Sequence, residues 1–393
     1  MGLPVVEIEI DNGAIGSASL TDDGIAGLIL TGVTVSGSGN VTVGEANQFF
    51  SLADAVSKGI TESGSNAYAY DHIKHFYAAA GTGAELWVML AVQAVTMEDM
   101  LDKTKLYGPV LLNAAQGKIR KLGVSRKSVT GVTPANGLDP DVDKAMIKGT
   151  ELRAQFASLM KPFRFLVDGK DFTGVAGDLK DYRTATHNGG GVLLGATDSG
   201  KNAAVGFAIG TMAKLPVQRK ISRVKNGSLA ISSAYLTNGA ETETLETAWN
   251  SIHDKGYIFF RTWIGKSGFF FSSDTTATTL ADDYSSFARG YVIDKAMIIT
   301  YQTFVEEVDD EVDVDDNGFI PAGIVKSLQE KIENQIELQM IANGEASAVK
   351  ALIDPNQPII QTGQLKIELR LRPRGYKSDI KILLGFMVQT LFK

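Results

Sequence analysis

The sequence predicts a mixed α/β (α+β) fold. A parallel-rich sheet with flanking helices is followed by a C-terminal α+β domain, and an extended β-strand arm sits at each end. Three observations predict it. From about Asp141 onward, apolar strand-like runs alternate with helix-length segments, the signature of a parallel sheet covered by helices. Beyond Asp282, two long helical patterns give way to strict period-2 alternation. Both termini read as lone strands.

In order, Val6, Ile8 and Ile10 alternate with Glu7, Glu9 and Asp11, a half-buried strand closed by an Asn-Gly turn. Residues 13–45 are rich in Gly, Ser and Thr, with short β-type runs at Ile25–Thr31 and Val33–Val35. Phe49–Lys58 and Tyr68–Ala80 read as helices and Glu85–Val92 as a buried strand. Thr96–Tyr107 reads as a helix, with Thr96 as N-cap and Asp99 three residues on. Residues 123–141 are turn-rich and read as a surface loop. The alternation then runs helix 141–160, strand Phe163–Val167, helix 176–186, strand Gly191–Ala196, helix 202–214, a strand near 219–231, helix 241–255 and strand Tyr257–Ile264. Helices are expected over 282–306 and 321–342, the second with Ile324, Leu328, Ile332, Ile336 and Met340 on one stripe. Strands are expected over Gln364–Arg372 and Asp379–Gln389. The expected divisions are an arm over 1–12, an outer domain over 13–160, a central α/β region over 161–281, a C-terminal domain over 282–378 and a second arm over 379–393.

Of 393 residues, 44% are hydrophobic and 21% charged, the composition of a globular chain with a sizeable core. There is no cysteine, which removes disulfides, Cys-ligated zinc and a catalytic thiol, and there are four histidines. A net charge of −7 argues against a nucleic-acid partner, which needs a cationic face. The first residues have no basic stretch of a signal peptide, and the longest apolar runs fall short of the roughly 18 residues of a membrane span, so the chain is expected to fold in the cytoplasm.

Gly195-Ala-Thr-Asp-Ser-Gly200-Lys201 has the spacing of a phosphate-binding loop between a strand and a helix. Asn202 stands where a Ser or Thr would ligate Mg²⁺, and no later strand closes on an aspartate. Nucleotide binding is therefore set against a plain strand-to-helix turn. Asp313-Val-Asp315-Asp-Asn317-Gly318 copies the start of a Ca²⁺ loop, but Ile324 replaces the bidentate glutamate at position 12, which favours an acidic turn. His72 and His75 lie three apart on an expected helix without the glutamate of a metalloprotease motif. No catalytic, cofactor or metal site is assigned.

What remains is charge. Eight of the eleven residues from Glu306 to Asp316 are acidic and none is basic. The 364–381 segment carries a net +4, against −3 in the first twelve residues. An acidic strand and basic strands can pair within one chain or between chains, because an edge strand invites strand addition.

Read together, these pieces resemble the sheath protein of contractile tails and injection machines. The carriers are the Pro4-Val5 strand, Thr31-Gly32-Val33 after an apolar run, Phe50-Ser-Leu-Ala-Asp-Ala-Val and His75-Phe76-Tyr77-Ala-Ala-Ala-Gly81-Thr-Gly83 before Leu-Trp-Val-Met-Leu. Phe165-Leu-Val-Asp168, the small-residue helix from Ala203, Tyr284-Ser-Ser-Phe-Ala-Arg289 and Gly363-Gln-Leu-Lys-Ile continue the match. Residues 100–160 match poorly. The resemblance implies a structural subunit, not an enzyme, that polymerises as a helical sleeve of stacked rings around an inner tube and contracts from a metastable state. Baseplate and terminator proteins are implied partners, with no cofactor, no direct nucleic-acid contact and no membrane insertion. Assembly would take place in the bacterial cytoplasm, giving a virion tail or injection particle.

The resemblance also assigns sites. Val5, Val6, Glu7, Ile8, Glu9 and Ile10 would form one exchanged strand arm, and Ile380, Lys381, Ile382, Leu383, Leu384 and Phe386 the other. Leu365, Ile367, Leu369, Arg370, Leu371 and Arg372 would form the receiving strand, and helix 321–342 or the acidic 306–316 turn, with Glu306, Glu307, Asp309 and Asp310, is the candidate for the tube-facing surface. Two alternatives stand: another self-assembling tail protein, and an α/β enzyme binding a phosphorylated ligand at Gly195–Lys201.

Overall fold

The structure, a computed structural model, describes residues 22–378 and 380–383. It divides into two compact units between Val308 and Asp309.

The first unit is built on a six-stranded sheet. Strand β1 (Ala26–Thr31) lies at its middle and is buried along its whole length. β2 (Ala46–Phe49) leads through α1 (Leu52–Ser57) and α2 (Ala67–Ala80) to β3 (Leu86–Ala91). α3 (Met97–Leu101) and α4 (Tyr107–Ala114) lead to β4 (Lys121–Ser125), and α5 (Pro140–Ser158) to β5 (Arg164–Asp168). The two-residue β6 (Thr186–His187) precedes β7 (Gly190–Leu193). The sheet order is β2-β3-β1-β4-β5-β7, parallel except for β2 at one edge. Near-continuous apolar strands such as Leu28-Ile-Leu and Phe165-Leu-Val are what a parallel sheet covered on both faces requires.

Both faces are covered, by different means. β8 (Gly195–Ala196) leads into α6 (Val205–Lys214), which packs with α2 on one face. That packing is set by glycine. A Cβ on Gly206 would collide with the carbonyl oxygen of His72, one on Gly210 would lie 2.5 Å from that of Phe76, and one on Gly123 would lie 2.6 Å from Val205. The other face carries the larger core, in which Leu122 and Val124 meet Leu111 and Leu112 of α4 and Met146 and Phe156 of α5. Capping fixes the helix starts: the Thr96 hydroxyl accepts from the Asp99 N–H at 3.1 Å, and the Asp141 carboxylate accepts from the N–H groups of Met97 (2.8 Å) and Glu98 (2.9 Å).

The rest of this unit comprises β9 (Tyr235–Leu236), α7 (Trp249–Asp254), the hairpin β10 (Phe260–Trp263) with β11 (Lys266–Phe271), β12 (Ala277–Thr278) and α8 (Phe287–Phe304). α8 is tied to the sheet by a buried ion pair. Arg164, with no exposed surface, gives Nε to Asp294 Oδ2 at 2.8 Å, Nη2 to Asp294 Oδ1 at 3.1 Å and Nη1 to the Asn188 carbonyl at 2.8 Å.

The second unit holds α9 (Ala322–Ile336), which ends in a π-helical turn (Glu337–Ile341), then β13 (Ala346–Leu352), the single turn α10 (Ile359–Thr362) and β14 (Glu368–Pro373). Its small core is Ile320, Val325 and Ile353, with Val312, Leu328, Leu365 and Ile367 packed against it.

Several sequence expectations are corrected. Val33–Val35 is not a strand, because the side chain of Asn66 takes both the N–H (2.7 Å) and the carbonyl (2.9 Å) of Val33. The expected helix 96–107 breaks at Asp102, whose carboxylate accepts from both the N–H and the hydroxyl of Thr104 at 2.8 Å. Residues 176–186 form two 3-10 turns, Ala176–Asp178 and Tyr182–Thr184, instead of a helix. The carbonyls of Ala176, Gly177 and Leu179 turn outward to Lys255 Nζ at 2.9, 2.7 and 2.6 Å. The expected strand near 219–231 finds no ladder: it is a turn segment around a 3-10 turn at Val224–Asn226. The expected helix 282–306 starts only at Phe287, after a turn in which Asp282 accepts the Tyr284 N–H at 2.7 Å.

Candidate functional site

In the second unit, β13 and β14 form a two-stranded antiparallel sheet, with Ala351 opposite Leu369, Lys350 opposite Arg370 and Val349 opposite Leu371. Residues opposite one another in such a ladder alternate between pairs that exchange peptide hydrogen bonds and pairs that turn them outward. The peptide groups of Ala351 point away from β14: its N–H goes to Glu333 Oε1 at 2.7 Å, and its carbonyl accepts from Gln329 Nε2 at 3.1 Å. Both partners are side chains of α9, which shields this edge of β13. Lys350 reaches the same Glu333 at 3.1 Å and fixes it there.

The consequence falls on β14. Because Ala351 and Leu369 are a pair that turns outward, the N–H and carbonyl of Leu369, and by alternation those of Leu371, face the far side of β14. Among the described residues nothing pairs with that side. The side chains of Leu369 and Leu371 are half-buried, whereas Glu368, Arg370 and Arg372 are exposed. Lys366, Arg374 and Lys377 extend the exposed basic set on either side. The site is an open, basic sheet edge over a half-buried apolar face.

Some of the expected site residues lie on or beside this edge, and others do not. Leu369, Arg370, Leu371 and Arg372 lie on β14. Leu365 and Ile367 precede it in an extended segment held by Gln357, which accepts the Lys366 N–H at 2.7 Å and donates to its carbonyl at 2.9 Å. Ile380, Lys381, Ile382 and Leu383 have no regular secondary structure and are exposed, Leu383 at 89%. Val5, Val6, Glu7, Ile8, Glu9 and Ile10, with Leu384 and Phe386, lie outside the described residues. Glu306 and Glu307 sit in a 3-10 turn after α8. Asp309 and Asp310 open the second unit and are exposed, Asp309 with a left-handed φ of 63°. Sequence reasoning did not find β13, nor Gln329 and Glu333 that shield it. The only signal for β13 is a run of small residues, Ala346, Ala348 and Ala351, with little alternation in hydropathy.

The two enzymatic motifs converge elsewhere, in the first unit. Tyr68, His72 and His75 of α2 and Asp198, Gly200 and Asn202 of the Gly195–Lys201 loop line a cavity of about 190 Å³. Where a phosphate would meet the start of α6, the chain places its own carboxylate. Asp168, fully buried, accepts the Ala203 N–H at 2.7 Å, Asn202 Nδ2 at 2.7 Å and the Ser125 hydroxyl at 2.5 Å, and Tyr68 continues the chain to Ser125 at 2.5 Å. Burial pushes the Asp168 carboxyl up to about 7, against the pull of these donors. The Gly206 N–H goes to His72 Nδ1 at 3.3 Å, and burial holds His72 at about 3, so its ring is neutral. Gly200 gives its N–H to Asp198 at 2.6 Å. The Gly200, Ala203 and Gly206 N–H groups, which a phosphate at the start of α6 would call on, are thus already engaged. In the Asp313–Gly318 turn, Asp315 Oδ1 accepts the N–H groups of Asn317 and Phe319 at 2.9 and 3.0 Å, and among the described residues no three acidic or histidine side chains converge as metal ligands. No helix of the described residues is long and apolar enough to cross a membrane.

Comparison with known proteins divides the chain earlier than the two compact units do. Residues 3–275 match the family model described as DUF2586, N-terminal domain, and residues 283–391 the model described as DUF2586, C-terminal domain. No curated protein matches. Among solved structures, the chain is similar to one in the helical sheath of the anti-feeding prophage (AFP) in its contracted state, at 13% identity and a TM-score of 0.63, covering 98% of this chain and 99% of that one. It is also similar to a chain of the six-fold symmetrised AFP baseplate (12%, 0.62, 98% and 100%) and to one of the AFP baseplate in the contracted state (14%, 0.62, 99% and 100%). The parallel-rich mixed α/β architecture expected from the sequence is present, and it is similar in fold to the AFP sheath chain.

Proposed function

Because this chain belongs to the DUF2586 family and carries a sheath-like fold across nearly its whole length, we propose that it is a structural subunit of a contractile tail or injection particle, polymerising as a sleeve around an inner tube. The observation that carries the reading is the open edge of β14. A two-stranded sheet is marginal by itself, and this one has one edge shielded by α9 and the other free among the described residues. A third strand entering beside Leu369 and Leu371 would complete peptide pairs and cover apolar surface.

The strand we assign is Val5–Ile10 of a neighbouring copy. Its Glu7 and Glu9 complement Arg370 and Arg372, and its Val6, Ile8 and Ile10 supply the apolar face. The Ile380–Phe386 segment, with Ile380, Ile382 and Leu383 exposed in the single chain, is the second arm. Strand exchange of this heterologous kind does not close on itself, and so extends into a helical lattice. The inner tube, a baseplate and a terminator are the proposed partners. Contraction is then a rearrangement of a metastable lattice in which the strands stay paired while body contacts switch between two packings. The similarity to chains of a baseplate favours a second reading, another tail component built on the same fold.

The test is negative-stain electron microscopy of the full chain and of a chain lacking residues 1–12. Hollow sleeves that vanish on deletion are expected. Sleeves from both chains would refute exchange through Val5–Ile10. Dispersed particles from both, in the presence of tube protein, would refute the sheath reading.

A further inference from the structure

Between Asp198 and Glu241 the chain has no acidic residue and six basic ones, four of them within seven positions at Arg219, Lys220, Arg223 and Lys225. In a protein of net charge −7 this is a strong local reversal. The segment after α6 is well anchored although it forms no strand. Val217 and Ile221 are buried, the Ile221 N–H goes to Asp274 Oδ1 at 3.2 Å, and turns close from Arg223 N–H to the Lys220 carbonyl (3.2 Å) and from Asn226 N–H to the Arg223 carbonyl (2.9 Å). With the apolar residues held inward, Arg219, Arg223 and Lys225 are exposed, and among the described residues none of the three forms an ion pair. Lys220 beside them is shifted down, first by burial and then by the cations of Arg289 and Arg183, with Asp274 opposing. Three exposed cations within seven positions repel one another, so a countercharge brought to them lowers the free energy.

The acidic run has the matching form. Over Glu311–Asp315 the chain alternates, with Val312 and Val314 half-buried and Glu311, Asp313 and Asp315 exposed. Glu306, Asp309, Asp310 and Asp316 are exposed as well, and none of these acids has an ion-pair partner among the described residues. One chain thus presents a cationic turn in which Arg219, Arg223 and Lys225 are exposed, and an anionic run in which Glu306, Asp309, Asp310, Glu311, Asp313, Asp315 and Asp316 are exposed.

We propose that the basic 219–225 turn of one copy docks onto the acidic 306–316 run of a neighbouring copy. This is a body-to-body contact, separate from strand exchange, and it rests on the self-assembly reading above. The two surfaces differ, so the contact is heterologous and repeats from copy to copy. At physiological salt, charges separated by more than about 8 Å are screened, which makes this contact more salt-sensitive than exchanged strands, whose peptide hydrogen bonds and apolar face are not screened. The same acids are candidates for the tube-facing surface, and the experiment separates the two.

Sleeves are assembled from an equal mixture of ¹⁵N-labelled and unlabelled full-length chains, then coupled with a zero-length carbodiimide and digested. Cross-links of Lys220 or Lys225 to acids within 306–316 are expected, with half of them joining a labelled to an unlabelled peptide. In parallel, the triple variant Arg219→Glu, Arg223→Glu, Lys225→Glu is expected to raise the critical concentration for assembly about tenfold or more. Adding Asp309→Lys, Glu311→Lys and Asp313→Lys to the same chain is expected to restore it. Cross-links only within one isotope, or a triple variant that assembles like the wild type, would overturn the contact while leaving the sheath reading standing. So would an acid-reversed chain that forms normal sleeves but no longer co-sediments with tube, which would return the acids to the tube. Binding of duplex DNA by the basic turn without mixed-isotope cross-links would also overturn it. A wild-type chain that forms no sleeve removes both readings.

Discussion

Lowering the pH from 7.5 to 5 should stabilise the first unit through Asp168, and replacing Asp168 with Asn should remove that gain. The carboxyl is fully buried and pushed up to about 7, against roughly 3.9 in an unfolded chain. A raised acid binds its proton more tightly in the folded state, so its stabilisation is present at low pH and is lost as pH rises through the folded value. Integrated over that window, the gain on acidification is about 2 to 3 kcal/mol. The structure offers a route for the proton: when Asp168 is ionised, Ser125 donates to it and accepts from Tyr68, and protonation lets the chain of hydroxyls reverse. Asp274, raised to about 6 by burial, acts in the same direction. His72, held at about 3, acts oppositely below its unfolded value near 6.5. A comparison of wild type with Asp168→Asn cancels both. The assay is urea unfolding of the monomeric chain at several pH values. It can be followed by tryptophan fluorescence, because Trp87, Trp249 and Trp263 all precede the division at residue 308. Stability curves that run parallel in the two proteins, within about 0.5 kcal/mol, would refute the reasoning.

Asp294→Ala should cost about 3 to 5 kcal/mol, because it leaves Arg164 buried and unpaired; urea unfolding measures it, and a loss below about 1 kcal/mol would contradict the geometry. Gly206→Val should prevent α6 from lying on α2 and destabilise the first unit by several kcal/mol, read in the same way, whereas Gly323→Ala, with open space around its Cβ, should not. Lys201→Ala should leave the thermal midpoint unchanged with or without ATP and Mg²⁺, because the Gly200 and Ala203 N–H groups are already engaged by aspartates. Leu371→Pro removes an N–H from the free side of β14, so folding of the single chain should be little affected while sleeve formation is lost in electron micrographs.

What the sequence made legible depended on whether a segment's pattern was decided locally. The buried strands at 26–31, 86–91 and 164–168 were readable because a strand covered on both faces must be apolar throughout. The alternation of Leu365, Ile367, Leu369 and Leu371 was readable because one face is half-buried and the other carries charge. Segments decided by a distant partner were not. Lys255 holds the carbonyls of 176–179 away from a helix, and Asn66 takes the peptide groups of Val33 from a strand. The phosphate-loop spacing was correctly found, but its occupant is an aspartate more than 25 residues upstream, which no local pattern encodes. The receiving strand could be proposed from its residues. That β13 would be its partner, and that α9 would shield the opposite edge, needed the fold.

The hydrogen bonds of Gln329 and Glu333 to Ala351 also set a stoichiometry. A bare two-stranded sheet has two sides and could recruit strands from both, giving branched or stacked aggregates. With one side occupied by α9, the sheet can accept a strand on one side only. In the proposed exchange, every incoming strand must then enter at the same edge, so each contact has a head and a tail and the lattice has one direction. Removing Gln329 and Glu333 would leave the Ala351 peptide groups without these partners, and disordered aggregates would compete with the ordered lattice.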